Sequence, residues 1–209
     1  MSTTQTSTGE RSRRSDAIER HANVIDAYVD LVLDGDLAPS PAAVAARADV
    51  SRASLFRYFA SLDELRNAAM GRVFERFLHL FDLGKPPATR SDRIATFVNS
   101  RLRFHAELHP LALLQRRHAP TNDVAAAHIE ASRQLLADQL SNFFEDDLHN
   151  VTPARRDDVV TTIAVLTSVE SWHQSTQSHG RTPAQTRRAW IATISALLAD
   201  VTFPQGDPS

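Results

Sequence analysis

The stretch that decides the reading of this chain is "SPAAVAARADVSRASLFRYF", residues 40–59. Two runs, about 41–47 and 51–59, have helical spacing, and only Ala48-Asp49-Val50 separates them, room for a sharp turn and nothing else. Ser40-Pro41 places a side-chain cap before a proline at the first helical position, and Ser51 is placed to cap the second run. Leu55 and Phe59 stand four apart, hence on one helical face, and with Val44, Ala45 and Val50 they are expected to face a preceding helix. Arg52, Phe56 and Arg57 then fall on the opposite side, with Ser51 and Ser54 at its exposed start. That pattern suits a helix-turn-helix, whose second helix offers small residues for close approach and cations or hydroxyls for phosphates and base edges. On spacing alone, a helix of an ordinary bundle with solvated arginines fits equally well.

Outward from this centre nearly everything reads as helix. Ile18, Ala22, Ile25, Val29 and Val32 follow a 4-3-4-3 apolar stripe that ends at Gly35. Ser61-Leu62-Asp63-Glu64 has capping-box spacing and opens a helix over about 61–82, carried by Leu65, Ala69, Val73, Phe77 and Phe81 and stopped by Gly84-Lys85-Pro86-Pro87. No alternating strand pattern and no internal repeat competes. The expected fold class is all-α. The expected segments are a disordered arm over 1–14, a domain of short helices with the helix-turn-helix pattern over 15–62, a larger helical domain over 63–203, and a disordered tail over 204–209. The two domains are expected to be joined rigidly through the long helix.

Residues 40–70, "SPAAVAARADVSRASLFRYFASLDELRNAAM", resemble the DNA-binding segment of the TetR (tetracycline-repressor) family of transcriptional regulators. The likeness is specific over about 18–70 and looser beyond. It implies double-stranded operator DNA as a partner, with Ser40, Ser51, Arg52, Ser54, Phe56, Arg57 and Tyr58 as the contacting residues. Ser40 matches the family's phosphate contact, and Arg52 and Arg57 are the base-reading candidates. Several positions depart from the family pattern: Asp49 and Ala53 stand where glycine is usual, Phe56 where tyrosine, Tyr58 where histidine, and Leu62 where a phosphate-binding lysine is common. Asparagine and aspartate tolerate left-handed backbone better than most residues, so the turn is expected to survive Asp49. Arg11, Arg13 and Arg14 are candidates for backbone or minor-groove contacts. Residues 1–60 carry seven arginines against eight acids, so any positive face must be local.

The resemblance makes the remainder a ligand-receiving and dimerising domain, with a small-molecule effector and a homodimer. In residues 157–172, Val159, Ile163 and Leu166 line one side and Val165, Val169 and Trp172 another, as in a helix buried on both sides. With Trp190, Ile194, Leu197 and Val201 of the last helix, Val165, Val169 and Trp172 are the expected dimer interface. Ile94, Val98, Leu102, His105 and His109 share a stripe, which makes the histidines polar anchors of a pocket or satisfied core residues. Phe77, Phe81, Phe104, Phe143 and Trp172 are its aromatic candidates, and Arg101, Glu170 and His173 its further polar ones. His105 and His109 have the spacing of a metal pair, but Ala106 occupies the zincin glutamate position and no third ligand is identifiable, so no metal is expected. Neither a Gly-rich phosphate loop, a G-x-S-x-G elbow nor a carboxylate dyad is present, so catalysis and cofactors are not expected.

The chain has no cysteine and no apolar run of about 18 residues, and "MSTTQTSTGERSRRSD" has no apolar segment after its basic residues. A cytoplasmic protein with no membrane partner is expected. The expected function is a DNA-binding regulator, a repressor released by its effector. The alternative is a helical protein-interaction module that has lost DNA binding.

Overall fold

The computed structural model describes the backbone of residues 6–202 and the side chains of residues 15–200. Among these residues there are helices and no strands, arranged as two compact units that meet between Phe77 and Leu78. The expected tail over 204–209 and the side chains of Arg11, Arg13, Arg14 and Val201 lie outside the described residues.

The first unit comprises α1 (Thr6–Leu33), α2 (Pro41–Arg47), α3 (Arg52–Tyr58) and α4 (Leu62–Arg76). Helix α1 begins at Thr6, so residues 6–14 are helical where an unstructured arm was expected. A helix pinned by tertiary packing further along extends at the low cost of propagation rather than of nucleation. Ile18, expected in the buried stripe, is 64% exposed, and the core contribution of α1 starts instead at Val24, with Ile25, Ala27, Tyr28, Val29 and Val32. Gly35, at φ 101°, closes α1, with Asp36 N–H donating to the Leu31 carbonyl at 3.0 Å.

The same closing motif recurs after α2 without a glycine. Val50 N–H donates to the Ala45 carbonyl at 3.0 Å, and Asp49 takes φ 53°. Aspartate occupies left-handed backbone at some cost, which glycine would relieve. Asp49→Gly is expected to raise stability by about 0.5–1 kcal/mol in urea denaturation. A fall would mean that the Asp49 side chain holds the turn.

Helix α4 returns along α1 and buries Leu65, Ala69 and Met70. Ser61 Oγ accepts from Glu64 N–H at 3.1 Å, while the Glu64 carboxylate accepts from Ala60 N–H at 2.6 Å, closing a reciprocal cap. Arg72 forks onto Asp26 at 2.9 and 3.1 Å, and Arg76 pairs with Asp30 at 2.6 Å. This packing extends the first unit to Phe77 rather than to 62. The helix expected to reach 82 stops at Arg76, and a 3₁₀ turn over Leu78–Leu80 follows, burying Leu80 and setting Phe81 edge-on to Phe104 at 5.1 Å.

The second unit is built on α5 (Arg90–His118), α6 (Asp123–Phe143), α7 (Glu145–Leu148), α8 (Pro153–Leu166), α9 (Val169–His173) and α10 (Pro183–Thr202). Phe97, Val98, Leu140, Phe144, Ile163 and Ile194 form the centre of its core. Thr182 and Gln185 cap α10 reciprocally, at 3.2 and 2.8 Å.

The helix expected over 157–172 is broken. Ser168 leaves helical backbone and its Oγ accepts from Ser171 N–H at 3.2 Å. Ser171 would otherwise have donated to the Thr167 carbonyl, so the restart of the helix frees that carbonyl for another donor. The break also redirects the side chains. Val169 and Trp172, with Trp190 and Ile194, are buried within the same chain, so these four expected interface residues are spent on the unit's own interior. Of the described interface candidates, Val165 stays 65% exposed and Leu197 is partly buried.

Candidate functional site

In the first unit, α3 has two contrasting walls. Leu55 is fully buried and Phe59 is 2% exposed, stacked on His21 with ring centroids 4.5 Å apart. Arg52, Ala53, Phe56 and Arg57 are exposed, Phe56 at 44%. Ser51 Oγ accepts from Ser54 N–H at 3.0 Å and also lies 3.0 Å from Ser54 Oγ, so both hydroxyls sit at the entry to the helix. Ser40 caps α2 in the same manner, accepting from Ala43 N–H at 3.1 Å. Tyr58 is half-buried, edge-on to His21 and beneath the Arg57 guanidinium at 5.4 Å.

Three acids of the first unit are paired away from α3. Asp26 and Asp30 meet Arg72 and Arg76, and Asp34 meets Arg47 at 2.8 Å. Among the described residues neither Arg52 nor Arg57 has an acidic partner. A near-neutral unit therefore presents a cationic face on α3, a distribution that a residue count cannot show.

In the second unit the pocket candidates separate into two clefts. The first, about 410 Å³, is lined by His105, Ala106, His109, Pro110 and Trp172, with Thr176, Gln177, Arg181 and Pro183. Two helix irregularities border it. Pro110, inside α5, cannot donate to the Ala106 carbonyl, and residues Gln174–Ser178 wind as a π-helix. The second, about 450 Å³, is lined by Phe81, Leu83, Leu135, Gln139, Phe143 and neighbours. Phe77 ends the first unit under the Arg76 guanidinium and is not part of either cleft. Arg101, Glu170 and His173 also line neither cleft, and Glu170 accepts from Arg116 at 2.7 Å and Arg133 at 3.1 Å. Burial works to raise the Glu170 carboxyl, but those two arginines hold it down at about 2.

His105 is 2% exposed, and its Nε2 meets the freed Thr167 carbonyl at 2.8 Å, between the rings of Trp172 and Trp190. Burial, aided by the charge of nearby Arg101, pushes its pKa down to about 4 although the Thr167 bond opposes this. The imidazole is therefore neutral in the folded chain at pH 7, with its proton on Nε2. A depressed histidine stabilises the fold above its ordinary value of 6.5, and that stability is lost as pH falls toward about 4. Denaturation midpoints are expected to fall from pH 6.5 to about 5 in the wild type and much less in His105→Phe. Parallel pH profiles would refute this. One turn on, His109 Nε2 and His173 Nδ1 lie 3.0 Å apart, one donating and the other accepting. Burial and the neighbouring His173 lower the His109 pKa. Among the described residues no three metal-ligating side chains converge.

Sequence reasoning nominated both histidines but not the two irregularities that border the cleft. Pro110 was a visible signal for the first; the π-turn had none.

Among solved structures, a TetR-family transcriptional regulator from Streptomyces coelicolor aligns over 88% of this chain and 82% of its own, with a TM-score of 0.71 and 21% identity. A TetR transcription regulator from Haloarcula marismortui aligns over 88% of this chain and 98% of its own, at 0.61 and 16%. No protein-family model matches the sequence. No curated protein matches it either. The chain therefore has the all-α fold of TetR regulators, with an N-terminal helix-turn-helix and a C-terminal helical domain.

Proposed function

We propose that this protein is a DNA-binding transcriptional regulator, a repressor that binds a palindromic operator as a homodimer and is released by a small-molecule effector. The observation that carries the reading is the two-walled α3: Leu55 and Phe59 anchor it, and Arg52, Phe56 and Arg57 are left exposed, with the capping serines Ser40 and Ser51 and the Ser54 hydroxyl at the helix starts. Ser40, Ser51 and Ser54 take phosphates, Arg52 and Arg57 read base edges, and Phe56 presses on sugar or a thymine methyl. Tyr58 buttresses Arg57 through its ring.

A single seven-residue helix is too small a reader alone, and a twofold axis supplies a second one about 34 Å away or a multiple of that. The outer face of α8 and α10, with Val165 and the exposed alanines 192, 196 and 199, suits a second copy. Effector binding in the second unit shifts the population toward a form that no longer matches the operator, provided the effector prefers that form. Among the described residues no helix is long and apolar enough to cross a membrane, in keeping with a cytoplasmic regulator.

The test is a salt titration of binding to the DNA upstream of its own gene. Sequence-preferring binding that weakens steeply with salt is expected. Weak binding with no preference between that fragment and a scrambled one would favour an interaction module instead.

A further inference from the structure

Two buried arginines on α5 are treated differently. Arg93, 6% exposed, forks onto Asp147 at 2.9 Å through both nitrogens and donates to the Pro87 and Ala88 carbonyls at 2.9 and 2.8 Å. Arg101, two turns on and 3% exposed, meets no acid. Its Nη2 donates to the Leu136 carbonyl at 3.0 Å, its guanidinium lies over the Phe97 ring at 4.8 Å, and its Nη1 is buried with no partner. Burial lowers its pKa to about 10, which leaves it cationic at neutral pH. A buried charge without a counter-ion opposes folding, and an apolar side chain of similar length would fill the same space without that penalty.

Two further orphaned atoms flank it. His105, one turn along α5, has Nε2–H committed to Thr167, so its buried Nδ1 is a bare lone pair that needs a donor. Gln139, one turn along α6 from Leu136, donates to the Phe81 carbonyl and leaves its buried Oε1 unpartnered. His105 faces the first cleft and Gln139 the second. Arg101 lines neither cleft; it sits on α5 one turn from His105 and bonds to Leu136 of α6, one turn from Gln139. The missing partner must supply an anion to Arg101 and a hydrogen-bond donor to His105, separated by about one helical turn, roughly 5–6 Å. The Trp172 and Phe104 rings beside His105 favour a flat body between the two groups.

We propose that the second unit binds a small aromatic hydroxycarboxylate, its carboxylate paired with Arg101 and its hydroxyl donating to Nδ1 of His105. This rests on the reading of that unit as an effector domain and names the class of effector.

The test uses the full-length protein with 4-hydroxybenzoate, benzoate and neutral 4-hydroxybenzyl alcohol as probes, read by thermal melting and calorimetry. With the wild type, millimolar 4-hydroxybenzoate is expected to raise Tm by several degrees. Benzoate is expected to bind about tenfold more weakly for want of one hydrogen bond, and the alcohol to give no shift. Arg101→Met is expected to melt at or above the wild-type temperature and to lose the response to 4-hydroxybenzoate. Arg101→Lys keeps the charge and is expected to retain part of the response.

No carboxylate response in the wild type overturns the proposal, as does a response unchanged in Arg101→Met. A Tm several degrees lower in Arg101→Met also overturns it, because the guanidinium would then be part of the packing. Should Arg101→Met not fold, the same conclusion holds. Equal binding of benzoate overturns the role of His105. Operator binding by the ligand-free wild type, measured alongside, separates the two readings. Its presence without a carboxylate response defeats this proposal alone, and its absence defeats the regulator.

Discussion

Alanine at both Arg52 and Arg57 is expected to weaken operator binding by about 100-fold or more while the protein melts within a degree or two of the wild type. Each arginine that reads a guanine contributes roughly 1–3 kcal/mol of discrimination, and a dimer presents each of them twice. Both side chains are exposed and neither meets an acid among the described residues, so removing them leaves no buried group stranded. Residual binding to unrelated DNA should persist through phosphate contacts and fall with salt. A double variant that loses its fold, or that binds the operator as the wild type does, contradicts the assignment. Leu55→Asp should behave in the opposite manner, removing DNA binding by unfolding the first unit, because it places a carboxylate at a fully buried position.

The largest effect on stability is expected at Asp147. This carboxylate, 8% exposed, receives both nitrogens of the Arg93 fork and a third bond from Arg90 at 2.7 Å. It ties the start of α5 to α7. Asp147→Ala strands the buried Arg93 guanidinium with only the Pro87 and Ala88 carbonyls, a change that costs about 3–5 kcal/mol when one partner of a buried pair is lost. Urea denaturation measures this directly, and a loss below about 1 kcal/mol would show that the fork is dispensable. Arg93→Met combined with Asp147→Leu should recover much of the loss, since an apolar pair avoids the desolvation penalty altogether. Burial works to raise the Asp147 carboxyl, but the bonds from Arg93 and Arg90 outweigh it and hold the pKa below its ordinary 3.8. Its contribution is therefore present above that value and is lost as the pH falls further, so acid unfolding should begin at higher pH in the variant.

Much of this architecture was legible in short local signals. Ser40, Ser51 and Ser61 are cap residues that act through the next three backbone positions, and all three cap as their spacing implies. The inward placing of Leu55 and Phe59 follows from a four-residue step on one helix. What local patterning missed depends on contacts distant in sequence. The apolar residues at 165, 169 and 172 read as one face for a partner subunit, but Ser168 restarts the helix, Val169 is buried within the unit, and Trp172 packs against Trp190 and His105. The net-acidic count of residues 1–60 gave no indication that Asp26, Asp30 and Asp34 are paired with arginines away from α3. The pocket was half legible. His105 and His109 stood out on an apolar stripe, whereas the isolation of Arg101 emerges only once α6 is seen to offer it a carbonyl and no carboxylate.

Selection of bound fragments from a random DNA pool, run with the wild type and with the Arg52→Ala, Arg57→Ala double variant, tests the DNA-reading face of α3 most directly. The wild type should enrich a palindrome whose half-sites are about one helical turn apart or a multiple of it, and the double variant should enrich none. Recovery of the same palindrome by both proteins, or of no common sequence by either, would contradict it.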